Sequence, residues 1–190
     1  MNEREDHKPK LRLIQGGAHP ELAVGTVRIF AGPEKMPPYV VEAMIKEEDT
    51  FLVLSADPGL FASDENPIRV LTEAVEARPE TPGSVIVKDG HPMQFLAIVH
   101  DLDREPSWKE EWVVNALDGI FREAEKRKLR SIALPLVGTL HGSLEKSRFI
   151  ALLREALERK SPGHLKRLWL VTPEGAASEI LEMLKAELQR

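Results

Sequence analysis

The sequence predicts an α/β fold, a three-layer α/β/α sandwich with a mixed, mostly parallel central sheet, and three observations predict it. From residue 131 onward, apolar runs of strand length alternate with runs of helical period; such repeats imply parallel strands joined by right-handed crossovers. Residues 51–54, Phe-Leu-Val-Leu, are apolar without interruption, as suits a strand buried on both faces. Asp89-Gly90 lies between two runs of β-formers, the sign of an antiparallel hairpin that makes the sheet mixed.

The elements follow in order. Residues 1–10 are charged and carry no apolar period, so they read as a disordered tail, with one domain over 11–190. Runs 11–14 and 26–30 end at Gly16-Gly17 and Gly32-Pro33 and read as strands closed by breakers. In residues 39–48, Val40, Val41, Met44 and Ile45 recur at helical spacing after Pro37-Pro38, which predicts a helix opened by proline. The strand at 51–54 follows, then a loop over 55–67 and a helix over 68–77. Strands at 85–87 and 95–99 form the hairpin. Residues 110–128 place Trp112, Val113, Ala116, Leu117, Ile120, Phe121 and Ala124 on one stripe, the strongest helical pattern in the chain. A strand at 131–137, a helix at 144–160, a strand at 168–171 and a helix at 176–188 complete the reading.

Composition excludes several classes. The chain has 190 residues, enough for one full core, and its 42% apolar and 30% charged residues are those of a globular protein. No apolar run is long enough to span a bilayer, and the polar start is no signal peptide, so a cytoplasmic protein without membrane partners is expected. With no cysteine, disulfides, thiolate nucleophiles and cysteine-bound zinc are excluded. A net charge of −5 opposes nucleic-acid binding unless the cations are concentrated on one face. The two basic runs, 126–130 and 159–167, fall at predicted helix ends, where cations complement the helix dipole.

In an open α/β sheet, ligands collect beyond the carboxyl ends of the parallel strands, where loops lead into helix N-termini. Two loops fit. One begins Ser55, Ala56, Asp57; the other runs Gly138, Thr139, Leu140, His141, Gly142, Ser143. The second is the better anion cradle, because two glycines can turn N–H groups inward, Thr139 and Ser143 add hydroxyls, and no carboxylate repels phosphate. A plain turn with an N-cap is the competing reading. The catalytic candidates are Asp57 and His141, the latter able to titrate near neutral pH. His100, Asp101 and Asp103 are too few, and alternate too much, to argue for a metal. Trp108, Trp112 and Trp169 read as core. Phosphate P-loops, complete dinucleotide fingerprints and Gly-x-Ser-x-Gly elbows are absent.

The stretch from Ser131, Ser-Ile-Ala-Leu-Pro-Leu-Val-Gly-Thr-Leu-His-Gly, resembles the macro-domain segment in which a Ser-Ile-Ala-Phe-Pro strand enters a glycine-rich phosphate loop. Residues 52–60 are similar to that family's Val-Asn-Ala-Ala-Asn-Pro-Ser-Leu, and Ala97-Ile-Val-His100 to its strand ending in Ile-His. The resemblance covers nearly the whole chain. It implies a pocket for ADP-ribose, with the diphosphate between the two loops, Asp57 in the place of the asparagine facing the distal ribose and His141 in the place of a tyrosine. The chain departs from the family in having Gly32-Pro33 for Gly-Asp, Ala62-Ser63-Asp64-Glu65 for a glycine run, and Pro67 for the water-orienting aspartate of hydrolytic members.

Three functional readings stay open. The first is a module binding ADP-ribose or a related nucleotide diphosphate, free or on an ADP-ribosylated protein, without cofactor or metal. The second is a structural or protein-interaction domain that keeps the fold alone. The third is an ADP-ribosyl hydrolase or nucleotide phosphoesterase acting through Asp57 or His141.

Overall fold

The computed structural model describes residues 21–54 and 78–189. Seven strands, β1 (Glu21–Val24), β2 (Val27–Gly32), β3 (Ala43–Asp49), β4 (Val85–Lys88), β5 (Met93–His100), β6 (Ser131–Pro135) and β7 (Arg167–Val171), form one sheet in the order β1-β2-β7-β6-β3-β5-β4. The five central strands are parallel, and β1 and β4 pair antiparallel at the edges. The helices are α1 (Glu110–Lys126), α2 (Lys146–Lys160) and α3 (Ala177–Leu188).

Alternation along each strand divides the core. Ile29, Ile45, Phe95, Ile132, Leu134, Leu168 and Leu170 point to one face, where they pack with Leu117, Ile120 and Phe121 of α1, Phe149 and Leu153 of α2, and Ile180 and Leu184 of α3. Residues of opposite phase, Ala133 and Trp169, pack with Val41 on the second face, against Tyr39 and Met44. The indole of Trp169 donates to the Gly32 carbonyl at 3.0 Å, tying β7 to the end of β2. This is the predicted α/β sandwich with a mixed, mostly parallel sheet. Strands 131–137 and 168–171, the 85–99 hairpin and helices 110–128, 144–160 and 176–188 all form, with ends displaced by up to two residues. The predicted strand at 11–14 and helix at 68–77 lie outside the described residues.

Two expectations fail together. The predicted helix at 39–48 is instead the central strand β3, between β5 and β6. Its apolar residues fit a helical stripe as well as an alternating one, and burial of Ala43 and Ile45 between two neighbouring strands decides the matter. Residues 51–54, read as the buried strand, form a turn with Leu52 at φ 61°. The Asp49 carboxylate accepts the N–H groups of Phe51, Val53 and Leu54 at 2.7, 2.8 and 2.9 Å, so these donors are satisfied by a side chain rather than a sheet. The reading also misses β1, four residues joined to β2 through Gly25-Thr26.

Candidate functional site

The parallel strands end together, at Gly32, Asp49, His100, Pro135 and Val171. The next strands in the chain, β4 and β5, lie on one side of β3, while β6 and β7 lie on the other. Pairing between β3 and β6 covers only Ala43 with Ile132 and Met44 with Ala133, so the strands part beyond that point. Here, where the strand order reverses, a cleft of about 620 Å³ opens, with Glu34, Lys46, Glu47, Thr139, His141 and Thr172 in its walls. A cavity of about 650 Å³ lies at the other end of the strands, lined by Val41, Gly90, Pro92 and Leu129 among others. Glu42, Asp89 and His91 are in its lining, whereas Glu34, Lys46, Glu47 and His141 stand in the first.

The loop after β6 bounds the cleft. Gly138 has φ +82°, and an added Cβ would stand 3.0 Å from Val113 and 3.3 Å from Leu144. At Gly142 a Cβ would lie 2.4 Å from the Gly138 carbonyl oxygen and 3.1 Å from the Trp108 ring. Both positions therefore need glycine for close approach. Trp108, bridged to His100 across an isolated β-pair, forms the floor of the loop. The loop closes on itself through Leu144 N–H donating to the Gly138 carbonyl at 3.2 Å, and the Thr139 hydroxyl donates to the Leu136 carbonyl at 2.7 Å. Thr139 thus spends its proton inside the loop and offers the cleft only an acceptor. Among the described residues, no acceptor engages the N–H groups of Leu140, His141, Gly142 or Ser143. The Leu140 side chain is 78% exposed. Successive donors ahead of a helix suit an anion.

Sequence reasoning missed the hub behind the cradle. Glu47 accepts the Gly138 N–H at 2.9 Å through Oε2, and its Oε1 lies 2.5 Å from His100 Nε2. The two side chains are 8% and 1% exposed. The carboxylate accepts, so His100 carries its hydrogen on Nε2. A register shift between Glu48 and Asp49, which pairs Asp49 with His100 rather than Val99, brings the imidazole to Glu47. The His141 ring stands edge-on to that of His100, with centroids 6.1 Å apart. Asp101 does not join this group; its carboxylate takes Arg104 at 2.8 Å. The only sequence signal for the hub was the acidic run Glu47-Glu48-Asp49, hidden by the helical reading of β3.

Of the predicted site residues, Thr139, Leu140 and His141 line the cleft and Gly138, Gly142 and Ser143 belong to the same loop, whereas Ser55, Ala56 and Asp57 lie outside the described residues. Leu54, immediately before Ser55, lines the cleft. The Thr172 hydroxyl, in a residue 5% exposed, has no hydrogen-bond partner among the described residues. Lys46 supplies a cation and Glu34 a carboxylate in the same walls.

Fold and cleft define an open α/β-sheet protein with a crevice at the carboxyl ends of its parallel strands. More particularly, the fold is that of the macrodomains. A point mutant of the Oceanobacillus iheyensis macrodomain superposes with a TM-score of 0.67 at 14% identity, over 91% of this chain and 99% of that one. The macrodomain of Thermus aquaticus DarG gives 0.56 at 22% identity, over 76% and 98%. Another Oceanobacillus iheyensis structure, described as containing ADP, gives 0.65 at 14% identity, over 90% and 97%. No family model matches the sequence, and no curated protein is significantly similar to it.

Proposed function

We propose that this chain binds ADP-ribose or a related nucleotide diphosphate, free or attached to a protein, with the diphosphate on residues 140–143. The observation that carries the reading is the row of four N–H groups, from Leu140 to Ser143, without acceptors among the described residues, in a loop whose Thr139, Leu140 and His141 line a 620 Å³ cleft. Donors in such a row favour an anion, and the cavity has the size of a nucleotide site. The Thr172 hydroxyl and Lys46 offer further polar contacts along the cleft. The likeness to a macrodomain described as containing ADP supports the same ligand class. Calorimetric titration with ADP-ribose tests the proposal: micromolar affinity, about −8 kcal/mol, is the expected result. Absence of both heat and thermal shift contradicts it.

One observation favours a second reading, a fold kept for protein interaction. The Glu47 carboxylate already occupies the first N–H of the loop, and Glu34 adds a second negative group to the cleft. Both repel phosphate. A protein that ignores nucleotides but is captured by a defined protein partner at the cleft would fit this reading.

A further inference from the structure

At the edge of the sheet opposite the cleft, the structure joins cations that lie far apart in sequence. Arg28 on β2 is the register partner of Arg167 on β7, and Arg167 is the partner of Ser131 on β6. The backbone binds the neighbours together: Arg28 N–H donates to the Lys166 carbonyl at 2.8 Å, and the N–H groups of Lys166 and Arg167 donate to the Arg130 carbonyl at 2.9 and 3.0 Å. Arg28, Arg130, Lys166 and Arg167 are all exposed, as are Lys126 and Lys128 at the end of α1.

Like charges directly opposite one another across two strands repel. Yet Arg28 and Arg167 stand so in a chain with 31 acidic and 26 basic residues, where carboxylates are plentiful. Among the described residues, none of these four side chains forms an ion pair. Arg167 lies over the Tyr39 ring at 4.5 Å, and Lys166 Nζ donates to the Gly163 carbonyl at 2.8 Å. Glu42, the carboxylate in contact with the strip, is turned onto the N–H groups of Arg130 and Ser131 at 2.5 and 3.0 Å.

We infer that this strip binds the phosphodiester backbone of a nucleic acid. Three strands at roughly 4.8 Å spacing spread the four residues over about 10 Å of the amino edge, with Arg28 and Arg167 in the phase of Trp169 and Arg130 and Lys166 at the strand starts in the opposite phase. Over the same distance each strand of a duplex, with one phosphate per about 3.4 Å, presents about three charges. Three of the four residues are arginines, whose planar fork matches phosphate. One large apolar residue, Val40, is exposed beside Tyr39 at the border of the strip, less than the apolar centre a protein interface is built round. The chain's net charge of −5 argues against binding anywhere else on the surface. The helix-end role read for the two basic runs does not account for Arg28, which belongs to neither.

Fluorescence anisotropy with a labelled duplex of about 20 base pairs, between about 50 and 200 mM salt, tests the inference. About four neutralised phosphates predict a slope of log K against log salt near −3.6, and the double variant Arg28→Gln/Arg167→Gln should bind about tenfold more weakly with a slope shallower by about 2. ADP-ribose titration of that variant should match the parent, since the cleft is at the other edge; the two proposals therefore fail separately. If the variant melts early, Arg130→Gln/Lys166→Gln supplies the same comparison. No duplex binding at the lowest salt, equal binding by parent and variants, or binding only to anionic vesicles or an acidic peptide would overturn the inference.

Discussion

Two residues set the properties of the cleft, Gly142 and Glu47. A methyl group at Gly142 meets the Gly138 carbonyl oxygen at 2.4 Å, so Gly142→Ala must displace the loop while leaving the sheet beneath it alone. The expected outcome is a loss of ADP-ribose affinity of at least about tenfold, or 1.4 kcal/mol, with an unchanged melting temperature. Calorimetry and thermal denaturation of the same sample check it. Glu47 serves two buried donors at once, Gly138 N–H and His100 Nε2. Glu47→Ala orphans both, and urea denaturation should show a loss of about 1–3 kcal/mol for each donor left unmet. Glu47→Gln keeps an acceptor but removes the negative charge beside the cradle, so it should bind ADP-ribose several-fold more tightly than the parent. A weaker-binding Glu47→Gln protein would show that the carboxylate belongs to the ligand site rather than opposing it. The sequence alone could nominate residues 138–143, because glycine and hydroxyl residues after an apolar run carry their own signal. It could not pair Glu47 with His100, 53 positions apart, because that contact depends on strand order and on a register shift.

At the scale of elements, legibility followed the uniqueness of each pattern. The stripe of α1 has no second interpretation, since eight buried residues from Trp112 to Ala124 recur at helical spacing. Residues 43–45 satisfied two patterns, and only the neighbouring strands select one. Helix α1 is fastened to α2 on the solvent side by Asp118, which meets Arg159 at 2.7 Å and Lys160 at 3.3 Å. Partial burial would raise the Asp118 pKa, but hydrogen bonds from the Arg159 and Lys160 side chains outweigh it and hold the carboxyl below its ordinary 3.8. A carboxyl depressed in the folded state contributes stability above its unfolded pKa and loses it as pH falls through the folded one. The parent should therefore lose stability in part through this group as pH falls below the ordinary 3.8. Asp118→Asn should flatten that acid limb and leave the neutral-pH comparison among other variants intact. Chemical denaturation across that pH range is the measurement; identical acid limbs would refute the role of the pair.

For the molecule as a whole, chemistry is divided between the two ends of one sheet. At the carboxyl ends, diverging strands open a cleft beside a loop whose N–H groups from Leu140 to Ser143 have no acceptor among the described residues; at the amino ends, exposed cations stand in adjacent strands without ion pairs among the described residues. The alternating strand and helix pattern made this architecture legible, since parallel strands must send all their carboxyl ends to one edge. Composition could not reveal the basic strip, because a net charge of −5 averages over both ends. The central claim, that the N–H groups of Leu140, His141, Gly142 and Ser143 hold the ligand's diphosphate, is tested most directly by backbone amide spectra of the ¹⁵N-labelled protein during ADP-ribose titration. The account predicts that these four amides shift first and furthest, while those of Arg28, Arg130 and Arg167 at the opposite edge stay in place. Saturable binding that leaves the four amides unmoved would contradict it.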